Sequence, residues 1–333
     1  MSTGRIEAAL CGAFCGACAA LAVAYLLQSR QESRNIACAF TQDARERLPR
    51  KIILVRHGES EANADHSLWR TKADHRIELT DKGSAQAINA GKRIKKIIGD
   101  MSVSLYVSPF ARTLQTARNL REAFEENIVH THVEPRVREQ EFGNLQGDDF
   151  KNYRGEQLQL GRFFYRFPTG ESGADVYARV KQWWDNTLLP LNHRNDAEPV
   201  DAIVVVTHGL TMRLILMQLY GWSPQTFETV WNAGNCDIYV LEKDLEAHGK
   251  TPYRSPYVLD PTQGDQPMSS IELMVHFKDG SEKQMLLKDY LSIPAPRTRQ
   301  HTTVCKMLGD QHSIDPSDID RIDYSCGKFK KYK

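Results

Sequence analysis

Residues 51–60 read KIILVRHGES, and residues 202–210 read AIVVVTHGL. Each stretch begins with a short run of apolar or nearly apolar residues and continues into a His-Gly pair. Short apolar runs of this kind are typical of strands that are buried on both faces of a parallel sheet. Because ligands bind at the carboxyl ends of such strands, His57 and His208 are predicted to lie at a ligand site of an α/β domain.

A third strand is predicted over residues 105–107, and the residues that follow it have the pattern of a helix start. Ser108 suits the N-cap position and Pro109 suits the first helical position, which places Arg112 in the first turn. A helix N-terminus favours an anion, and an arginine there adds paired donors that match the geometry of phosphate. This segment therefore predicts an anion site near the strand ends.

The segment VREQEFG over residues 137–143 adds two carboxylates, Glu139 and Glu141, in a predicted loop. Each of these residue types alone is common at structural positions. Together they form a set that can bind a phosphoryl group, attack it and protonate the leaving oxygen. The set comprises two imidazoles, two guanidinium groups and a carboxylic acid, namely His57, His208, Arg56, Arg112 and Glu139.

Five segments, in this order along the chain, resemble the motifs of the histidine phosphatase superfamily, which is named after cofactor-dependent phosphoglycerate mutase. They are ILVRHGESEAN (53–63), LTDKGSAQA (79–87), SPFARTLQTA (108–117), VREQEFG (137–143) and VVTHGLTMR (205–213). Residues 161–180, GRFFYRFPTGESGADVYARV, look closest to the eukaryotic phosphatase branch of the phosphoglycerate mutase-like proteins. The resemblance implies a three-layer α/β/α sandwich with a mostly parallel sheet.

The resemblance also implies roles for the residues that match the motifs. His57 matches the nucleophile, which accepts the phosphoryl group as phosphohistidine before water hydrolyses it. Arg56, Arg112 and His208 match the groups that neutralise the phosphoryl oxygens. Glu139 matches the acid/base residue that protonates the leaving alkoxide.

Further positions are assigned by the same resemblance. Glu141 is the second candidate for the acid. Three residues match positions that line the phosphate, namely Ser60, Asn63 and Gly209. Two more match a recurring Gly-Glu-Ser motif, where either support or substrate contact is open, namely Glu171 and Ser172. We expect no metal and no cofactor, because the chain has no HExxH, CxxC or carboxylate cluster with metal-ligand spacing.

The superfamily contains mutases as well as phosphatases. The mutases carry a sizeable insertion between the acid and the second histidine, and residues 144–200 look too short to hold it. They also carry a Gly-Trp-rich segment where this chain reads ADHSLWRTKADHR over residues 64–76. We therefore expect hydrolysis, with mutase-type phosphoryl transfer and a catalytically silent phosphate-binding or signalling module as the alternatives.

The expected substrate is a phosphorylated small molecule or a phosphoprotein. Several aromatic residues either wall a larger, less polar substrate or pack in the core, namely Phe163, Phe164, Tyr165, Phe167 and Tyr177. The chain carries 43 Lys and Arg against 42 Asp and Glu, a net charge of +1. This balance argues against a nucleic-acid partner, and the sequence leaves the oligomeric state open.

Residues 8–27 form an uncharged run, AALCGAFCGACAALAVAYLL, that is long enough to span a bilayer as a helix. A membrane anchor, a cleaved targeting segment and a buried Ala-rich helix are the open alternatives. The basic residues that follow the run predict that the bulk of the chain faces the cytoplasm.

Four parts of the chain are therefore expected. They are an anchor or targeting helix (1–30), a linker (31–50), a histidine phosphatase catalytic domain (51–243) and a C-terminal extension (244–333). In the extension we predict a β-hairpin from residue 271 to residue 287. Residues 294–333 are predicted to be loosely structured and to end in a basic tail.

Overall fold

The computed structural model describes residues 48–143, 149–191, 200–244, 257–288 and 300–324. The apolar run at residues 8–27, nearly all of the predicted linker, and the basic tail lie outside these residues. Within the described part, no helix has the length and apolar character that crossing a membrane requires.

A six-stranded sheet in the order β3-β2-β4-β1-β5-β6 forms the centre of the fold. The strands are β1 (Lys51–Arg56), β2 (Val103–Val107), β3 (Ile128–Val133), β4 (Ala202–Thr207), β5 (Ile238–Lys243) and β6 (Tyr257–Gly264). The first four in that order run parallel, and β5 and β6 add on in antiparallel fashion. The mixed α/β fold with a mostly parallel sheet is therefore confirmed. Strand β6 comes from the segment that the sequence analysis assigned to the C-terminal extension.

Helices cover both faces of this sheet. They are α1 (Glu61–Ala64), α2 (Asp81–Ile98), α3 (Ala111–Arg121), α4 (Asp149–Leu160), α5 (Gly173–Leu191), α6 (Gly209–Tyr220) and α7 (Pro224–Thr229). Short 3-10 turns lie at His66–Arg70, Asp74–Arg76, Glu125–Asn127 and Pro135–Val137.

The central strands are buried on both faces, as their apolar runs predicted. Ile53 and Val55 of β1 pack in one core with α2 and α3. Ile52 and Leu54, which alternate with them, pack in a second core with α5, α6 and α7. Side chains alternate between the two faces of a strand, so an apolar run in a central strand supplies both cores.

The aromatic residues of the 163–177 region belong mainly to the core. Phe163, Tyr165 and Phe167 are buried. Tyr177 is partly buried and packs against the second core, whereas Phe164 is 62% exposed. Of the two interpretations left open, packing in the core describes four of these five residues.

The C-terminal residues form a second, three-stranded sheet in the order β8-β7-β9. Strands β7 (Ser270–Phe277) and β8 (Glu282–Lys288) form the predicted antiparallel hairpin. The prediction of loose structure beyond residue 294 was wrong for α8 (Gln300–His312) and β9 (Ile319–Tyr324).

The sequence pattern of these two elements explains why they were missed. Cys305 and Leu308 are one helical turn apart and pack on the hairpin, but α8 carries few other apolar residues. Ile319 and Ile322 of β9 are three residues apart and still share this small core. The register of β9 against β7 shifts between them, so the strict alternation that marks a strand is broken.

Candidate active site

The carboxyl ends of three neighbouring strands bring the predicted groups to one edge of the main sheet. Since β2, β4 and β1 are adjacent and parallel, the residues that follow them lie at the same edge. His57 follows β1, His208 follows β4, and Ser108 follows β2. The ring centroids of the two histidines are 5.3 Å apart, and both side chains are buried.

The ring of His57 is held in one tautomer by its own backbone. Its Nδ1 lies 2.7 Å from the carbonyl oxygen of Gly58. A carbonyl oxygen can only accept, so Nδ1 carries the proton and Nε2 keeps its lone pair. Burial, followed by the positive charges of Arg112 and Arg56, holds the pKa of His57 well below its ordinary value. The ring is therefore neutral and suited to attack through Nε2.

The turn after His57 depends on close contact between two backbones. A Cβ atom at Gly58 would collide with the carbonyl oxygen of Gly83, and a Cβ at Gly83 would collide with the carbonyl of Glu59. The N–H of Gly58 also donates to Thr116 Oγ1 at 3.1 Å. These contacts explain why the motif segments 79–87 and 108–117, far along the chain, support the first one.

His208 is held by Ser108. The Nε2 atom of the ring lies 2.8 Å from Ser108 Oγ, and the ring of Phe110 packs edge-on with a centroid distance of 5.2 Å. Nδ1 is buried and has no hydrogen-bond partner among the described residues. Burial, followed by the charge of Arg112, holds the pKa of His208 well below its ordinary value.

The two predicted guanidinium groups lie next to these rings. Arg56 donates from Nη1 to the carbonyl oxygen of Ala233 at 2.6 Å, while its Nε is buried without a partner in the described part. Arg112, in the first turn of α3, is buried and donates from Nη1 to both the carboxylate (2.7 Å) and the carbonyl (2.8 Å) of Asp74. Both charges act on His57, which places them within electrostatic reach of the predicted nucleophile.

Glu139 is half-buried beside this cationic set. Its Oε1 accepts from the N–H of Gln140 at 3.2 Å and from Thr211 Oγ1 at 3.4 Å. Burial raises the pKa of Glu139, although the charge of Arg112 opposes this. The other candidate acid, Glu141, is exposed, and its carboxylate lies 3.6 Å from Arg138 Nε.

The predicted lining residues Ser60 and Asn63 are linked to the backbone of His57 through Asn235. The Oδ1 atom of Asn63 accepts from the N–H of Ser60 at 3.2 Å and from Asn235 Nδ2 at 3.1 Å. Asn235 Nδ2 also lies 3.2 Å from the carbonyl oxygen of His57. Gly209 begins α6 directly after His208, and a Cβ there would press on the side chain of Asn232.

Residues 232–235 were missed by the sequence analysis. They contact Gly209, Arg56 and Asn63 and so form one wall of the site. Their signal is the Asn- and Gly-rich stretch WNAGNCD before β5. Because β5 is antiparallel to β1, its beginning lies beside the end of β1. Asp74, the partner of Arg112, had no comparable signal.

The Gly-Glu-Ser motif lies in the supporting structure. Glu171 accepts hydrogen bonds from Arg138 and Arg179, and Ser172 donates to Asp175 in the first turn of α5. Of the two roles left open for this pair, the contacts are those of support. Within the described ranges, no group of three or more His, Cys, Asp or Glu side chains is arranged to hold a metal ion.

The sequence pattern that describes the histidine phosphatase superfamily (branch 1) matches residues 52–250. This chain belongs to the histidine phosphatase superfamily. The resemblance inferred from the five motifs is thereby confirmed. The matched residues include both strand-end histidines, His57 and His208.

The proteins that are similar to this chain include a mutase-like protein, a phosphatase and a mutase, according to their names. Phosphoglycerate mutase-like protein AT74H of Arabidopsis thaliana is 39% identical over 209 residues, covering 59% of this chain and 74% of the relative. Broad-range acid phosphatase DET1 of Saccharomyces cerevisiae is 25% identical over 287 residues, covering 59% and 86%. A 2,3-bisphosphoglycerate-dependent phosphoglycerate mutase of Bartonella henselae is 29% identical over 213 residues, covering 61% and 98%.

Proposed function

We propose that this protein hydrolyses phosphomonoesters through a phosphohistidine on His57, with Glu139 as the proton donor. The observation that carries the proposal is the state of the His57 ring. Its Nδ1–H is bound to the Gly58 carbonyl, so a neutral imidazole presents the lone pair of Nε2 in a cationic, buried setting. A nucleophile activated in this way is suited to attack phosphorus.

Two buried nitrogen atoms near His57 support a phosphoryl site. Arg56 Nε and His208 Nδ1 have no hydrogen-bond partner among the described residues. A buried polar group left without a partner costs about 1–3 kcal/mol, so such groups favour a ligand that satisfies them. The Ser108 hydroxyl can donate or accept at Nε2. In the tautomer in which it donates, Nδ1 of His208 carries the proton and is a donor. Phosphoryl oxygens are acceptors and match both atoms.

In the first step, His57 Nε2 attacks phosphorus and the bond from phosphorus to the ester oxygen breaks. The carboxyl group of Glu139 gives its proton to the departing oxygen, which leaves as an alcohol. Arg56, Arg112 and His208 stabilise the charge that spreads over the phosphoryl oxygens during transfer. The products of this step are the alcohol, phosphohistidine and an ionised Glu139.

In the second step, water attacks phosphorus and gives a proton to the Glu139 carboxylate. The bond between phosphorus and Nε2 breaks, and inorganic phosphate and neutral His57 are formed. The directions of the two pKa shifts suit this sequence, because burial raises the pKa of Glu139, which favours its protonated form, and lowers that of His57, which favours its neutral form.

Hydrolysis requires water to reach the phosphohistidine, and the exposure of the site favours it over mutase-type transfer. Glu139 and Arg56 are both partly exposed, which supports access of solvent to the acid/base group. The similarity to a protein named an acid phosphatase agrees with this choice, whereas the similarity to a named mutase keeps transfer as the second candidate. The substrate would be a phosphorylated small molecule or a phosphoprotein.

The test uses the purified protein and a chromogenic phosphomonoester. We expect release of inorganic phosphate by the wild-type protein and none above background by His57→Ala. A parallel assay with 3-phosphoglycerate and 2,3-bisphosphoglycerate reports mutase activity. Phosphate exchange between these two without net release supports the mutase instead, and inactivity in both assays supports the silent binding module.

We also propose that residues 8–27 attach the chain to a membrane, with the catalytic domain on the cytoplasmic side. Support comes from the uncharged twenty-residue run and the basic residues that follow it. Fluorescent fusions with and without residues 1–30 test this. Membrane fluorescence that disappears on deletion is the expected result, and a full-length fusion that stays in the soluble fraction contradicts it.

A further inference from the structure

We propose that Arg179 is a positioning residue for leaving-group protonation, because it fixes the backbone of the loop that carries Glu139. The inference rests on the proposed function and assigns a separate task within it. The phosphate pocket, formed by His57, Arg56, Arg112 and His208, would bind and transfer the phosphoryl group. Arg179 would set the position from which Glu139 delivers its proton.

All five N–H donors of the Arg179 guanidinium are used. Nη1 donates to the carbonyl oxygens of Arg136 (2.6 Å) and Arg138 (2.9 Å), and Nη2 donates to that of Glu139 (2.9 Å). Nε and the second hydrogen of Nη2 bind the two carboxylate oxygens of Glu171, both at 3.0 Å. Only an arginine has five donors in this planar arrangement, so lysine cannot reproduce the set.

Glu171 also holds the loop that carries Glu139, through residues before and after it. Besides Arg179, its carboxylate accepts from Arg138 Nη2 at 2.8 Å and from the N–H of Glu141 at 3.1 Å. The backbone is therefore held at residues on both sides of Glu139. Both Arg179 and Glu171 are mostly buried, with 11% and 15% of their side chains exposed, so water competes little for these bonds.

The carboxyl group of Glu139 has little else to hold it. Its own acceptor contacts are a 3.2 Å bond from the next N–H and a long 3.4 Å contact from Thr211. Its position is therefore set mainly by the backbone. Thr207 and Thr211 each donate to one carbonyl of this loop, those of Val137 and Arg138, whereas Arg179 donates to three, that of Glu139 included. General acid catalysis requires the acid within hydrogen-bond reach of the leaving oxygen, so a loosened loop would weaken that step first.

The phosphate pocket is held by other contacts. Within the described residues, none of the hydrogen bonds that hold His57, Arg56, Arg112 or His208 involves Arg179. Arg179 acts on that pocket through its charge, which lowers the pKa of His208 as one of the smaller contributions. A variant that keeps the charge and loses the geometry therefore separates the two effects, and Arg179→Lys is that variant.

The experiment compares kcat/KM for two substrates that differ in their need for an acid. The leaving group of 4-nitrophenyl phosphate departs without a proton, whereas that of glycerol 2-phosphate requires one. For Arg179→Lys we expect a loss of about 10²-fold with glycerol 2-phosphate and a change within about threefold with 4-nitrophenyl phosphate. Inhibition by inorganic phosphate should stay unchanged, because the phosphate pocket is intact.

Arg93→Lys is the matched control, since it makes the same exchange in a part-buried ion pair, that of Arg93 with Asp265, in which the Glu139 loop takes no part. It should change neither value. If Arg179→Lys fails to fold, as judged by its melting curve, Glu171→Gln is the second variant and should show the same substrate dependence. Equal losses on both substrates, or no loss on either, would overturn the positioning role. An inactive wild-type protein would instead remove the proposed function on which it rests.

Discussion

The phosphate pocket and the Glu139 loop meet at one site but are built in different ways. The pocket groups follow the ends of adjacent strands, so the register of the sheet fixes His57 and His208. The acid lies in a loop after the 3-10 turn Pro135–Val137, and buried side chains hold that loop. A residue that directly follows a strand is positioned by the sheet, whereas a residue in a loop is positioned only by hydrogen bonds to residues distant in sequence. Predictions that separate the two regions are therefore informative.

The largest expected effect is at the nucleophile. His57→Ala should lower kcat/KM by at least about 10³-fold with both substrates, because the covalent route is lost whatever the leaving group is. The control is His132→Ala, a histidine exposed on the edge strand β3. Activity of His57→Ala close to that of the control would contradict the covalent mechanism.

A smaller loss is expected when a pocket cation is changed. Arg112→Leu removes a buried guanidinium that we propose neutralises the phosphoryl oxygens, and it should cost about 10²- to 10³-fold on both substrates. Arg121→Leu, near the end of the same helix, is the control, since its guanidinium pairs with Glu125 at the surface. A loss confined to glycerol 2-phosphate would shift Arg112 from the phosphate pocket to the acid.

The acid itself should show the opposite substrate dependence. Glu139→Gln should lose about 10²-fold with glycerol 2-phosphate and much less with 4-nitrophenyl phosphate. Because Glu139 acts in its protonated form, wild-type kcat/KM for glycerol 2-phosphate should fall as pH rises through its raised pKa. This alkaline fall should disappear in the variant. Glu141→Gln is the control, and a loss there instead would move the role to Glu141.

The fall of kcat/KM at low pH tests the protonation state of His57. His57 must be neutral to attack, so activity should persist below its ordinary pKa and fall only when pH drops through the lowered value. Measurement of kcat/KM for 4-nitrophenyl phosphate against pH tests this. A fall that begins near pH 6.5, the unperturbed pKa of histidine, would contradict it.

The smallest expected effect is at the group that orients His208. Ser108→Ala leaves Nε2 of the ring without its partner, and we expect roughly a tenfold loss on both substrates. Ser102→Ala is the matched control, because Ser102 lies just before the start of β2, at the end far from the site, and its hydroxyl donates to Asp201. A Ser108→Ala protein as active as this control would show that the bond is dispensable.

How far the sequence could predict the molecule follows the same division. The strands around His57 and His208 were predicted because apolar runs and the His-Gly pairs after them are local signals. Asp74, Ala233 and Arg179 were not predicted, because each acts through a partner that only the folded chain brings near. Arg179 and the carbonyl of Arg136, for instance, are 43 residues apart in sequence.

The C-terminal elements were missed for a related reason. Helix α8 and strand β9 bury only a few apolar side chains each, against a hairpin that lies earlier in the chain. Their patterns are therefore too sparse to mark a helix or a strand before the partner surface is known. The hairpin itself, with its alternating residues and its Lys-Asp-Gly-Ser turn, was predicted because its partner strand is adjacent in sequence.

Trapping the phosphorylated protein tests the covalent mechanism most directly. Wild-type protein is mixed with 4-nitrophenyl phosphate, quenched in alkali within milliseconds, digested and examined by mass spectrometry and phosphorus NMR. We predict an acid-labile phosphoryl group on His57, bonded to Nε2, because Nδ1 carries the proton that Gly58 accepts. Phosphate on Nδ1, phosphate on another residue, or turnover without any phosphoenzyme would contradict attack by Nε2 of His57.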